Sequence, residues 1–263
     1  MSDPRSAPPK DLIVMAEAAR IAEPVVDLTR GAGGPRDRQL LYGDPVTVLN
    51  RTDTHCLIRS EKDGYCGYVA APSVAAPATA THKVTARATH AYHEATIKSP
   101  DLTTLSFGSR LAALSETATF IETDLGFIPR QHVHPVDTFA TDPAVVAQLF
   151  LGTAYLWGGN SFKGIDCSGL VQAAFLACGL ACPGDSDQQA LDLGKALPDD
   201  ARVERNDLIF WKGHVALVAD SATLIHANAG HMATVSEPID VALARIEAQG
   251  DGLPTGRRRP ALR

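Results

Sequence analysis

The stretch Tyr155-Leu-Trp-Gly-Gly-Asn-Ser-Phe-Lys-Gly-Ile-Asp-Cys-Ser-Gly-Leu-Val171 constrains this chain more than any other. It sets one cysteine, Cys167, between a glycine-rich loop and an apolar run. Leu170, Val171, Ala173, Ala174, Phe175 and Leu176 recur at helical rather than alternating spacing. Cys167 is therefore expected in the first turn of a buried helix. Unpaired backbone N–H groups and the positive end of the helix dipole favour a thiolate there, and the thiolate is the nucleophilic form of cysteine. A cysteine also serves as a small core hydrophobe. A core position, however, needs neither Gly158, Gly159 and Gly164 upstream nor Asp166 and Ser168 on either side.

Two histidines follow: His214 in Gly-His-Val-Ala-Leu-Val and His226 in Leu-Ile-His-Ala. The runs Leu208-Ile-Phe-Trp, Val215-Ala-Leu-Val-Ala and Thr223-Leu-Ile-His read as strands of an antiparallel sheet. Across the intervening turn, His226 would lie on the strand beside His214 and could hold its ring in orientation. A turn residue at His214 and a satisfied core histidine at His226 are the plain alternatives. His231 is read as surface. Upstream, Asp142-Pro143 is a helix start, with Asp as the cap and Pro at the first position.

These residues resemble the NlpC/P60 family of cysteine peptidases. The matching pieces are Gly152-x-x-Tyr155-x-Trp157-Gly158-Gly159, then Asp166-Cys167-Ser168-Gly169-Leu170-Val171, then Asp185-Ser186-x-x-Gln189. Asn206-Asp207-Leu208-Ile209-Phe210, His214-Val215-Ala216-Leu217-Val218 and Ile225-His226-Ala227 complete the set. The family has glycine where Asn206 stands, a turn-compatible change. The resemblance implies a papain-like α+β fold over residues 140–263 that hydrolyses cell-wall peptides at the γ-D-glutamyl–diamino acid bond. It implies Cys167 as nucleophile, His214 as base, His226 as the polar third member, and Tyr155 at the oxyanion hole. Asp166, Ser168 and Ser186 would line the substrate groove, with Trp157 as a wall. Asp166 is expected to point into the groove toward a substrate ammonium, and Ser186 is either a helix cap or a groove donor. The resemblance calls for no cofactor and no metal. Another acyl transfer on the same scaffold (an amidase or acyltransferase), or a wall-peptide binding module, is the competing reading.

Residues 1–22 read as a lead-in. From 23 to 75 the texture changes to short strands, with a Gly-Asp-Pro turn at 43–45 and an Asp63-Gly64 hairpin turn. Leu-x-Gly-Asp-x-Val followed by Asp-Gly-Tyr-x-Gly-Tyr-Val resembles a bacterial SH3 barrel. Ala70 to Thr81 is a small-residue, proline-containing linker. Residues 82–135 repeat the texture, Leu105-Ser-Phe-Gly mirroring Leu40-Leu-Tyr-Gly, and read as a second SH3-like barrel or as part of one larger β domain. Cytoplasmic family members with SH3 domains in front close the groove with an SH3 tyrosine and accept only peptides with a free N-terminal L-Ala. Tyr65 or Tyr68 would play that part.

Composition bounds the partners. The chain has 263 residues, 45% hydrophobic and 21% charged, with a net charge of −6. That is a globular composition without a basic footprint for nucleic acid. Arg257-Arg258-Arg259 reads as a solvated end. The polar, proline-rich start does not read as a signal peptide, and no run suits a membrane span. Five cysteines in such a chain fit a reducing compartment, so the expected location is the cytoplasm and the expected partner a murein-derived peptide. Cys56, Cys66, Cys178 and Cys182 are read as structural thiols, since no histidine follows at zinc-finger spacing.

Overall fold

The computed structural model describes residues 3, 5–198 and 200–262. It divides into two compact units, Met1–Thr138 and Phe139–Arg263.

The first unit is built from strands. Among the described residues its larger sheet orders seven of them, with Pro45–Arg51, His55–Ser60 and Cys66–Ala70 as an antiparallel meander. Alternation fills the core: Val46 and Val48 point inward with Leu28, Leu40, Ile58 and Val69. The strand Glu17–Ile21 pairs with Pro45–Arg51 and with Val74–Ala75. This corrects the lead-in expected at 1–22. Ala19 and Ile21 are buried members of the same core, so the alternating pair binds this strand to the sheet. Residues 82–135 form a five-stranded and a three-stranded sheet around a separate core of Val84, Leu105, Leu111, Ile121, Ile128 and Val133. Tyr42 of the Gly-Asp-Pro turn enters this second core and donates its hydroxyl to Asp124 at 2.6 Å. Gly43 is required beside it: a Cβ there would lie 2.1 Å from the Arg110 carbonyl oxygen.

The second unit is α+β. Among the described residues its main sheet is six-stranded and antiparallel. The order is Lys195–Leu197, Gly256–Arg259, Leu208–Trp211, His214–Val218, Thr223–Asn228 and Ala233–Pro238. The helices are α1 (Pro143–Gln148), α2 (Cys167–Ala177), α3 (Ser186–Asp192) and α4 (Ile239–Ala248). Asp142 caps α1 as expected, its carboxylate accepting from the Ala144 N–H at 3.0 Å. Asn206 supplies a left-handed turn, with φ of 72°, just before the strand Leu208–Trp211. Its Oδ1 accepts a second bond from the Ala144 N–H at 2.9 Å, tying the turn to α1.

The triple arginine is not a solvated end. Arg257 to Arg259 lie in the strand between Lys195–Leu197 and Leu208–Trp211. Arg259 makes a two-point ion pair with Asp207 (2.9 and 2.8 Å), whose side chain is almost wholly buried. Long arginine stems cover apolar surface while their heads find carboxylates and carbonyls, so a strand need not look apolar.

Candidate active site

The residues that open α2 explain why the cysteine sits where it does. Asp166 is the helix cap: its Oδ1 accepts from the Gly169 N–H at 2.7 Å and from the Ser168 hydroxyl at 3.1 Å. Its Oδ2 accepts from the Gly158 N–H at 2.8 Å, closing the glycine loop over the helix start. Gly169 is needed for that closure, because a Cβ there would stand 2.5 Å from the Gly159 carbonyl oxygen. The carboxylate expected to face the groove is thus committed to the helix turn and the loop, and a substrate ammonium would be one more partner on it.

Cys167 is the first residue of α2 and is 7% exposed. Its sulfur faces the strand that starts with His214, with Sγ 4.0 Å from the Gly213 carbonyl oxygen. Burial pushes the thiol up to about 12, and the Asp166 carboxylate pushes the same way. The backbone of Val215, Ser168 and Cys167 itself acts in the opposite direction. The helix start does favour a thiolate, as the sequence implies, but desolvation of the buried sulfur outweighs it. At rest the thiol carries its proton.

His214 opens its strand after the Lys212–Gly213 turn, paired with Trp211. The Trp211 ring lies 5.6 Å from it, centroid to centroid. His214 Nε2 and His226 Nδ1 are 2.9 Å apart. His226 is 1% exposed in the strand Thr223–Asn228. Its other nitrogen, Nε2, is 2.6 Å from Oε2 of Glu237, and Glu237 is held in turn by Arg245 of α4 at 2.9 and 2.7 Å. Leu224 faces Glu237 and His226 faces Val235 across the ladder, so His226 and Glu237 are diagonal neighbours on one sheet face. That face carries Ala216, Val218 and Leu224 beneath Ala242 and Ile246 of α4.

Burial pulls His214 down to about 3, helped by His226 and Arg245 and opposed by Glu237. Burial likewise pulls His226 down to about 4, with Glu237 opposing. Both rings are therefore neutral near pH 7, and so is the thiol. The arrangement can take the thiol proton onto a neutral imidazole as the sulfur attacks, and return it to a leaving amine.

Tyr155 is pinned by its N–H to the Met232 carbonyl at 2.9 Å and by a parallel bridge to Ile165. Burial raises its hydroxyl to about 12, with further upward pushes from Cys167 and Asp166, so it stands protonated among them as a hydrogen-bond donor. Ser168 is buried, and its carbonyl accepts from Gln189 of α3 at 2.9 Å. Ser186 is the first residue of α3, whose cap position is Asp185, so it is not the helix cap. Trp157 stands on the loop, 59% exposed. The structure thus gathers Cys167, His214, His226, Tyr155, Asp166 and Ser168 in the second unit. Tyr65 and Tyr68 belong to the first unit. There they line a cavity of about 860 Å³, Tyr65 being buried under the Arg38 guanidinium at 5.3 Å from its ring centroid. The sequence reading missed Glu237 and Arg245.

All five cysteines are free and buried, and among the described residues no cluster of His, Cys, Asp and Glu could hold a metal ion. No helix among them is long and apolar enough to cross a membrane.

Residues 152–242 match the NlpC/P60 family, and residues 28–74 match the bacterial dipeptidyl-peptidase SH3 domain. Dipeptidyl-peptidase 6 of Lysinibacillus sphaericus is 28% identical over 73% of this chain and 80% of that protein. The gamma-D-glutamyl-L-lysine dipeptidyl-peptidase of Bacillus subtilis is 38% identical over 34% of this chain, and the match spans only 32% of that protein. The crystal structure of an NlpC/P60 family protein from Bacillus cereus shares the fold. The two superpose with a TM-score of 0.74 at 19% identity, over 93% of this chain and 99% of that one. This chain therefore carries an NlpC/P60 peptidase domain over residues 152–242 and, ahead of it, a bacterial SH3 domain over residues 28–74.

Proposed function

We propose that this chain is a cysteine peptidase that cuts the γ-D-glutamyl–diamino acid bond of free murein peptides bearing an N-terminal L-Ala. The observation that carries the reading is the buried Cys167 at the start of α2, its sulfur against the strand of a neutral His214 that is itself held by His226. Two relatives add the substrate class: their names specify dipeptidyl-peptidase activity, one of them on gamma-D-glutamyl-L-lysine.

In the proposed cycle the Cys167 thiol gives its proton to His214 as sulfur attacks the γ-glutamyl carbonyl carbon. The Tyr155 hydroxyl and the first N–H groups of α2 receive the oxyanion. The His214 imidazolium then protonates the diamino acid nitrogen, and the C–N bond breaks to leave a thioester. Water, deprotonated by the same imidazole, hydrolyses the thioester to L-Ala-D-Glu and restores the thiol.

Asp166 is the group proposed to read the substrate ammonium, with Ser168, Ser186 and Trp157 along the groove. Residues 82–135 are read as a second, diverged SH3-like barrel, supported by their separate core. Recycling of murein peptides in the cytoplasm is the proposed setting, and five free thiols fit such a reducing compartment.

The test is L-Ala-γ-D-Glu-diaminopimelate against its N-acetylated form, with fragments identified by mass. Removing a buried ammonium's contact costs about 2 kcal/mol or more, so acetylation should lower kcat/KM by at least about thirtyfold. Equal cleavage of both forms, or ready digestion of intact sacculi, would overturn the free-peptide reading.

A further inference from the structure

The reaction proposed above needs a bare nitrogen on His214, and the polar groups behind that ring decide which nitrogen is bare. We propose that the Glu237–Arg245 ion pair is the positioning element of the site. In this role it holds His226 in the tautomer protonated on Nε2, and through it makes Nδ1 of His214 the base. The consequence for rate rests on the peptidase reading; the tautomers themselves do not.

Arg245 grips both oxygens of Glu237, through Nε to Oε1 at 2.9 Å and Nη2 to Oε2 at 2.7 Å. The guanidinium is fixed in turn on the Gln249 side-chain oxygen at 2.9 Å. Burial alone would raise the Glu237 carboxyl, but the bonds from Arg245 and His226 hold it at about 2. An ionised carboxylate only accepts hydrogen bonds. The 2.6 Å contact to His226 Nε2 therefore requires the ring proton on that nitrogen. A neutral His226 then has a bare Nδ1, and the 2.9 Å contact to His214 is satisfied only if His214 Nε2 donates. His214 has one proton when neutral, so its Nδ1 is left bare, free to take the thiol proton.

The pairing with arginine has its own logic. A lone carboxylate behind two imidazoles would orient them but would also draw a proton onto them, and a protonated His214 is no base. Arg245 cancels that pull while leaving the acceptor geometry intact. The charged and titratable groups acting on the two rings are Glu237 from the neighbouring strand, Arg245 from α4, and, at His226, His231 from the turn after Asn228. Glu237 pulls both rings toward the cation; Arg245 opposes it at both, and His231 opposes it at His226.

The test uses the full chain with 15N-labelled histidine, the two ring signals being assigned through His214→Ala and His226→Ala. In the wild type, Nε2 of both rings should be pyrrole-type and Nδ1 of both pyridine-type. Glu237→Gln can donate as well as accept, so His226 should exchange between tautomers, with kcat falling at least about tenfold while KM moves less than about twofold. The acidic limb of kcat/KM should move to lower pH in Glu237→Gln and to higher pH in Arg245→Met. A purely structural role would move both the same way or neither. A wild-type His214 protonated on Nδ1 would overturn the proposal, as would unchanged tautomers in Glu237→Gln. The wild-type spectrum decides even if a variant fails to fold. A wild type that leaves murein peptide uncut would overturn the peptidase reading instead.

Discussion

Alkylation of Cys167 reads the charge state of the site directly. Iodoacetamide reacts with the thiolate, so its rate near neutral pH follows the thiolate fraction. Burial and the Asp166 carboxylate raise this thiol from 9.0 to about 12. The difference, 12 − 9.0 = 3, corresponds to a thiolate fraction about a thousandfold smaller at any pH well below both values. Labelling at pH 7.5, mapped by peptide mass to separate Cys167 from Cys56, Cys66, Cys178 and Cys182, should therefore be about a thousandfold slower than that of an unhindered thiol. The rate should climb tenfold per pH unit through pH 9 without a plateau. Because the resting His214 is neutral, His214→Ala should change the labelling rate less than about threefold. Fast labelling that plateaus near pH 6 and vanishes in His214→Ala would mean a standing thiolate–imidazolium pair. Desolvation would then not govern the Cys167 thiol.

Replacing His214 by alanine removes both the proton acceptor and the donor to the leaving amine, and should cost at least about 10³-fold in kcat. His226→Ala should cost less, about 10- to 100-fold, since water can replace an orienting group in part; a larger loss at His226 would reverse the two roles. Asn206→Ala strains a backbone at φ of 72° and deletes the bond to Ala144, together about 2–3 kcal/mol. Asn206→Gly loses only the bond, and equal urea midpoints for the two variants would contradict that account. Folding holds His214 and His226 below their ordinary 6.5, at about 3 and about 4. The stability they contribute is thus fully present above pH 6.5 and is lost as pH falls toward 3–4. Both tryptophans, Trp157 and Trp211, lie in the second unit; the urea midpoint of their fluorescence should fall between pH 6.5 and 4, and a flat midpoint would be the contrary result.

What was legible in the sequence was local. Asp142 before Pro143 and Asn206 before a strand announce a cap and a turn through their own backbone chemistry, and each stands where expected; Asp166, read as a groove residue, is instead the cap of α2. His214 and His226 were legible as a pair because a short turn between apolar runs sets neighbouring strands. Glu237 and Arg245 were not, because only the register of the Ala233–Pro238 strand and the docking of α4 bring them behind His226. The helix α4 carries Ile239, Ala242, Leu243 and Ile246 at helical spacing, a signal available in the chain but hidden behind its charged residues. Arg257 to Arg259 were misread because a basic run looks solvated until Asp207 and the strand edges around it are placed. The strand Glu17–Ile21 has only two buried side chains, and its partner lies across the Gly-Asp-Pro turn. The protonation of Cys167 depends on depth, which helix-start chemistry alone does not report.

The central claim is that Cys167 attacks the γ-glutamyl carbonyl, and an acid-quenched reaction analysed by intact-protein mass spectrometry tests it most directly. With L-Ala-γ-D-Glu-diaminopimelate, the wild type should carry an adduct equal to L-Ala-D-Glu less one water, mapped to the Cys167 peptide and removed by hydroxylamine as a thioester. Cys167→Ala should show neither adduct nor turnover. Undiminished cleavage by Cys167→Ala, or an adduct on any other residue, would contradict the account.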